Sequence, residues 1–198
     1  FVTEPLASRV VVLDRFTGEQ VGTVPAPAGG FVLPFTLRVP STGHLVVLDP
    51  GGFPSPTVPA VARVYDYDYQ YNPITRVFSA AVARTVRFDG LPVVFAEDLE
   101  TLSDGTYVVA ESILGALWLV RPNGSIVPGV VPDSFAPGQG IPQLGPCAFG
   151  PTVTADGIPL ASGGDFAPGV GSVAQRGASL YFSGTCQGAV YRIPVASL

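Results

Sequence analysis

Short apolar segments separated by glycine-containing turns recur along the whole chain. The clearest unit predicts four strands, at 97–102, 107–110, 116–120 and 126–130, with a turn at Ser103, Asp104 and Gly105. No stretch of about 11 residues keeps the period of 3.6 that a helix requires without a glycine or a proline inside it. The pattern therefore predicts an all-β protein.

The strand pattern also repeats. The segments 105–111 and 115–120 reappear 73 residues later at 178–184 and 188–193, and 43–49 is a third copy of the first half. Repeated β-hairpins of this size indicate the blades of a β-propeller. The predicted units are listed in chain order: an outer half blade at 8–24, a blade at 31–88, a blade at 92–131, an irregular loop at 132–168 and a partial blade at 169–198.

The predicted blades do not close a ring by themselves. Only seven residues precede the 8–24 hairpin, and the last unit has no fourth strand, so this chain supplies roughly three to four blades. A propeller typically needs four or more blades. Phe1 is the first residue and the chain has no methionine, which indicates that the chain is processed, truncated or a sequenced fragment. We therefore expect a second polypeptide, from the same precursor, to complete the propeller.

Composition and charge narrow the range of partners. Hydrophobic residues make up 47% and charged residues 13% of the chain, which also has 24 glycines and 21 prolines, as expected for many short buried strands. The net charge of −5 provides no basic surface for a nucleic acid or an anionic lipid. No apolar run reaches the roughly 18 residues of a membrane span. We expect neither nucleic-acid nor membrane binding.

Two modification sites follow from the sequence. Cys147 and Cys186 fit a single disulfide in an oxidising compartment, although two buried thiols fit nearly as well. A disulfide would place the protein outside the cell, in the periplasm or in a vacuole. Asn123, with Gly124 and Ser125, matches an N-glycosylation acceptor, but the same residues predict a hairpin turn, which we favour.

Acidic residues are the main candidates for chemistry. Glu97 and Asp98 begin a predicted strand, where alternation sends their side chains to opposite faces. They are candidate catalytic residues, and the structural alternative is that they bind loop amides. Asp49 and Glu111 end equivalent strands, and capping of the following turns accounts for them. His44 is the only histidine, so a histidine-rich metal site is excluded and a Ser-His-Asp triad would have to use it.

Aromatic and polar residues alternate between Tyr65 and Tyr71. One face of such a strand would stack rings and the other would be polar. The pattern favours a packing strip between two sheets, with a platform for a ligand as the alternative.

The run from Glu97 to Ser112 resembles the six-bladed propellers of the gluconolactonase, regucalcin and strictosidine synthase group. The segments 169–174, 180–185 and 188–194 look like a second copy of the same motif. In metal-dependent members, an acidic residue or Asn at the start of an inner strand binds a divalent cation in the central channel. The resemblance gives Glu97 that role, with Ca²⁺ as a suitable ion, but Gly171 and Gly184 stand where further ligands are expected.

The resemblance implies an enzyme that acts on a small organic molecule. The leading expectation is hydrolysis of a lactone or ester at a channel site formed by Glu97, Asp98 and a divalent cation. One alternative is a binding or structural propeller with a degenerate metal site. Another is a condensing enzyme of the strictosidine synthase type, in which no metal does the chemistry.

Overall fold

The computed structural model of this chain describes residues 1–53, 60–113, 115–130, 170–184 and 190–198, with the backbone of two short strands at 153–155 and 158–161. In this part of the chain all regular structure is β-strand, apart from two three-residue 3-10 turns at Pro5–Ala7 and Val195–Ser197. The prediction of an all-β protein is confirmed. No helix within these ranges is long and apolar enough to cross a membrane.

The strands form four antiparallel sheets and one separate hairpin. Sheet I consists of β1 (Val2–Glu4), β2 (Arg9–Leu13) and β3 (Gln20–Thr23). Sheet II consists of β4 (Thr36–Ser41), β5 (His44–Asp49), β6 (Arg63–Asn72) and β7 (Val77–Arg87). Sheet III consists of β8 (Ala96–Thr101), β9 (Tyr107–Glu111), β10 (Ala116–Val120) and β11 (Ile126–Val130). The hairpin pairs β12 (Val153–Ala155) with β13 (Ile158–Ala161), and sheet IV consists of β14 (Val170–Arg176), β15 (Ser179–Gly184) and β16 (Val190–Pro194).

Within each sheet, strands that follow one another in the chain lie side by side. This up-and-down order of three or four strands is consistent with propeller blades. The structure adds two elements that the sequence analysis did not include. Strand β1 precedes the 8–24 hairpin and pairs with β2, and the β12–β13 hairpin lies inside the segment 132–168.

The sheets pack face to face, and the central strands of sheets II and III are buried on both sides. In β5, Leu45 and Val47 join the apolar layer between sheets I and II, whereas Val46 and Leu48 join the layer between sheets II and III. A third layer lies between sheets III and IV and includes Leu117. Burying both faces of a strand in this way produces an unbroken run of apolar residues.

Candidate functional site

Glu97 lies at an irregularity in the first strand of sheet III. Ala96 pairs with Glu111 and Asp98 pairs with Ala110, so Glu97 is the extra residue of a β-bulge. A bulge breaks the alternation of side chains and turns the extra residue in a new direction. The fold therefore gives the Glu97 carboxyl an orientation that strand alternation alone does not predict.

Sheet IV repeats this irregularity at the corresponding place. In β14 the pairing register shifts between Val170 and Ser172, so that Gly171 occupies the position equivalent to Glu97. The equivalence drawn from the repeat thus also holds for the backbone. Only sheet III fills the position with a carboxylate.

The surroundings of Glu97 favour its protonated form. Burial raises the pKa of this carboxyl, a hydrogen bond with Ser112 partly offsets the rise, and the negative charges of Asp98 and Glu111 raise it further. A carboxyl that holds its proton to a higher pH can act as a general acid as well as a general base.

Asp98 is fully engaged in contacts between strands. Its Oδ1 accepts hydrogen bonds from the Arg38 guanidinium at 2.8 Å and from the Leu99 N–H at 2.8 Å, and its Oδ2 accepts one from the Val173 N–H at 2.9 Å. Its side chain is only 15% exposed. Asp98 therefore ties β4, β8 and β14 together. The neighbouring residues Glu97 and Asp98 therefore differ in role: Glu97 lies on the bulge, and Asp98 holds strands together.

Glu100, two residues further along β8, also joins β8 to β14, and the sequence analysis missed it. Its Oε2 accepts a hydrogen bond from the Gln175 N–H at 3.1 Å, and its Oε1 accepts one from the Thr101 N–H at 2.7 Å. Asp98 and Glu100 are two residues apart and therefore lie on the same side of the strand. That spacing is the signal that could have identified both as partners of a neighbouring edge strand.

Asp49 and Glu111 hold the loops that lead into the first strands of sheets II and III. Asp49 accepts hydrogen bonds from the N–H groups of Val32 and Leu33, at 2.7 and 2.9 Å, and from that of Gly51 at 2.8 Å. The last contact confirms the predicted turn cap. The contacts with the preceding loop were not predicted.

Glu111 makes the equivalent set of contacts. It accepts hydrogen bonds from Val94 and Phe95 in the preceding loop, at 3.2 and 2.9 Å, and from Ile113 and Gly115 in the following turn, both at 3.2 Å. The residue is 0% exposed. This buried carboxylate fixes Val94 and Phe95, which come just before Glu97 in the chain.

Aromatic rings surround the start of β4 and β8. Phe95 contacts Phe35 edge-to-face at 5.4 Å and Phe53 in a parallel stack at 6.0 Å, and Phe53 is 58% exposed. The Thr36 hydroxyl donates to the backbone carbonyl of Glu97 at 2.8 Å, which joins the two strand ends. A carboxyl with a raised pKa and exposed aromatic carbon therefore lie at the same end of the two strands.

His44 lies away from this site. It begins β5, whereas Asp49 at the other end of the strand holds the loop next to the site. The His44 Nδ1 is 3.0 Å from Asp68 Oδ1, and both side chains are more than half exposed. The structure does not bring His44 together with Glu97.

Within the described residues the structure shows no cluster of possible metal ligands around Glu97. Within the described ranges, no group of three or more His, Cys, Asp or Glu side chains is arranged to hold a metal ion. Both Asp98 oxygens are already engaged, and Gly171 and Gly184 provide no side-chain oxygen. Glu97 would need further ligands from outside this part of the chain.

Of the predicted modification sites, the structure describes Asn123 but not the two cysteines. The Asn123 Oδ1 accepts hydrogen bonds from the N–H and the hydroxyl of Ser125, at 3.0 and 2.7 Å, in the β10–β11 turn, where Gly124 has a φ of 86°. Asn123 thus has the predicted turn role, and its glycosylation stays a prediction. Cys147 and Cys186 lie outside the described residues, as does most of the 132–168 segment.

Comparison with protein-family models and with curated proteins finds no match for this chain. The resemblance to the six-bladed propellers stays a prediction, and the case for function rests on the geometry around Glu97.

Proposed function

We propose that this chain is part of a β-propeller enzyme that acts on a small organic molecule, with Glu97 as its general acid and base. The observation that carries the proposal is the placement of Glu97 on a bulge, with a pKa raised by burial, at the end of β8 where the rings of Phe35, Phe53 and Phe95 pack together. A perturbed carboxyl in such surroundings is a common property of catalytic sites.

The proposed reaction is hydrolysis of a lactone or ester. The ionised Glu97 carboxylate takes a proton from a water molecule as that water forms a C–O bond to the carbonyl carbon. The acid formed on Glu97 then returns the proton to the leaving alkoxide oxygen as the original C–O bond breaks. The aromatic rings hold the apolar part of the substrate.

The completed molecule in this proposal is a six-bladed ring with Glu97 facing its central channel. The face-to-face packing of sheets I to IV supports such an arrangement, since each sheet presents an apolar face to the next. A second polypeptide would supply the remaining blades. A divalent cation such as Ca²⁺ at Glu97 would take its other ligands from there or from the part of this chain beyond the described residues.

The decisive measurement is the hydrolysis of 4-nitrophenyl butyrate and of glucono-δ-lactone by the purified protein, as a function of pH. Glu97→Gln is expected to lower kcat/KM by about 100-fold or more, since a positioned acid-base group contributes about that much. Asp89→Asn removes an exposed acid that pairs with Arg87 and serves as the control. Retention of activity in Glu97→Gln, or its loss in the control, would overturn the assignment. Activity abolished by EDTA would show that a cation takes part.

A non-catalytic propeller is the second candidate, because every Asp98 contact is structural and Gly171 leaves the equivalent bulge without a carboxylate. In that case neither substrate is hydrolysed above the rate in buffer. A condensing enzyme would use the same Glu97 proton transfer without a metal, and it would form a bond between two substrates instead of consuming water.

A further inference from the structure

The β6–β7 hairpin is longer than the hairpin at the same place in sheet III. Its outer part, beyond Asp68, no longer pairs with β5. Strands β6 and β7 contain 10 and 11 residues, whereas β10 and β11 in sheet III contain 5 each. The additional length carries the aromatic residues Tyr69, Tyr71 and Phe78 past the edge of sheet II and over the β2–β3 hairpin of sheet I.

A pocket of about 590 Å³ lies between the two hairpins. Its volume is in the usual range for small-molecule sites. Its inner wall is apolar: Phe1 contacts Tyr69 at 5.1 Å and Phe78 at 5.8 Å, and Val12 and Val21 extend the wall. Most of these side chains also belong to the apolar layer between sheets I and II, so the pocket is an opening of that layer.

Two arginines lie at the mouth of the pocket, and they differ in their partners. Arg76 is 3.1 Å from Glu19 and 3.7 Å from Asp14, so its charge is compensated and it joins the two hairpins. Arg15 lies over the Phe16 ring at 4.4 Å. Within the part of the chain that the structure describes, no carboxylate pairs with Arg15.

The backbone around both arginines is fixed by side-chain hydrogen bonds. Asp14 Oδ1 accepts from the N–H groups of Phe16 and Thr17, at 2.8 and 3.0 Å, which sets the turn that presents Arg15. Arg76 adopts a φ of 56°, a conformation that usually selects glycine or asparagine. A strained residue of this kind commonly marks a functional position.

From these observations we propose that the pocket binds a small organic anion with an apolar ring, such as an aromatic carboxylate. The ring packs against Phe1, Tyr69 and Phe78, and the carboxylate pairs with Arg15. The unpaired guanidinium selects a negative head group, for which its planar donors are suited. This site is distinct from the one around Glu97.

The test is equilibrium dialysis with naphthalene-2-carboxylate and, as a neutral analogue of similar shape, naphthalene-2-methanol. We expect the carboxylate to bind about tenfold more tightly than the alcohol, as one charge-assisted hydrogen bond allows. Arg15→Gln is expected to remove this difference without weakening the binding of the alcohol. Arg87→Gln, which removes an arginine away from the pocket, should leave both affinities unchanged.

Filling the pocket gives an independent measurement. Val21→Trp is expected to abolish binding of both compounds, and Leu13→Trp, at a more exposed wall position, provides a second blocking variant if the first does not fold. Equal affinities for the carboxylate and the alcohol would overturn the assignment of an anionic ligand. Binding that survives in both folded tryptophan variants, or no binding of either compound at about 5 mM, would overturn the site itself.

Discussion

Sheets III and IV have the same up-and-down order and the same bulge at the start of the first strand, but they differ in the polar residues at equivalent positions. Sheet III has carboxylates at these positions: Glu97, Asp98, Glu100 and Glu111. Sheet IV has none, with Gly171, Ser172, Ala174 and Gly184 in their place. The comparison shows that the backbone of the repeat does not depend on the acidic side chains. Apolar alternation and turns specify the sheet, so the polar positions can acquire separate roles.

The largest expected effect is at Glu111. Glu111→Leu leaves buried N–H groups in two loops without an acceptor, and we expect it to lower the free energy of unfolding by about 3–5 kcal/mol. Urea unfolding measures the change. Glu4 ends β1 in the equivalent register of sheet I but forms an exposed ion pair with Arg9, so Glu4→Leu should cost about 1 kcal/mol or less. Similar losses in the two variants would contradict the role given to Glu111.

The contacts that Asp98 makes with β4 and β14 should have an intermediate effect on the free energy of unfolding. Asp98→Ala removes the acceptor for Arg38 and for the Val173 N–H, and we expect it to cost about 2 kcal/mol in urea unfolding. Ser172→Ala, at the equivalent position in sheet IV, removes only an exposed hydrogen bond to Ser183 and should cost about 0.5 kcal/mol. An Asp98→Ala protein as stable as Ser172→Ala would show that the Asp98 contacts do not stabilise the packing of sheets III and IV.

The smallest change in the free energy of unfolding should come from Glu97→Gln, and this change should be a gain in stability. Because burial raises its pKa in the folded protein, its contribution to stability is fully present below the ordinary value of 4.5 and is lost as the pH rises through the folded pKa. Glu97→Gln is therefore expected to be more stable than the unmodified protein at pH 7. The difference should disappear at about pH 4. Urea unfolding at the two pH values tests this, and a loss of stability at pH 7 would refute it.

The all-β class and most of the strands were predictable, because apolar alternation and glycine turns act over a few residues. Strand β1 was missed because only three residues separate Phe1 from Pro5, too few to show a period. The bulge at Glu97 was also hidden, since a register shift depends on the facing strand.

The spacing of Asp98 and Glu100 indicates contact with a neighbouring strand, but the residues that they contact were not predictable. The contact between Glu100 and the Gln175 N–H joins residues 75 positions apart, and the acceptor pairs with a backbone group that any residue could supply. No pattern in the side chains of sheet IV marks it. The rise in the pKa of Glu97 likewise depends on burial that only the packed sheets produce.

The contacts of Asp98 and Glu100 with β14 also bear on aggregation. Strand β14 pairs with β15 on one side, and on the other side the N–H groups of Val173 and Gln175 are held by the two carboxylates. An open strand edge would let a strand of another molecule add to the sheet. Here such a strand would first have to displace two charged side chains, so β14 is protected from intermolecular pairing even though none of the described strands covers that side with a backbone ladder.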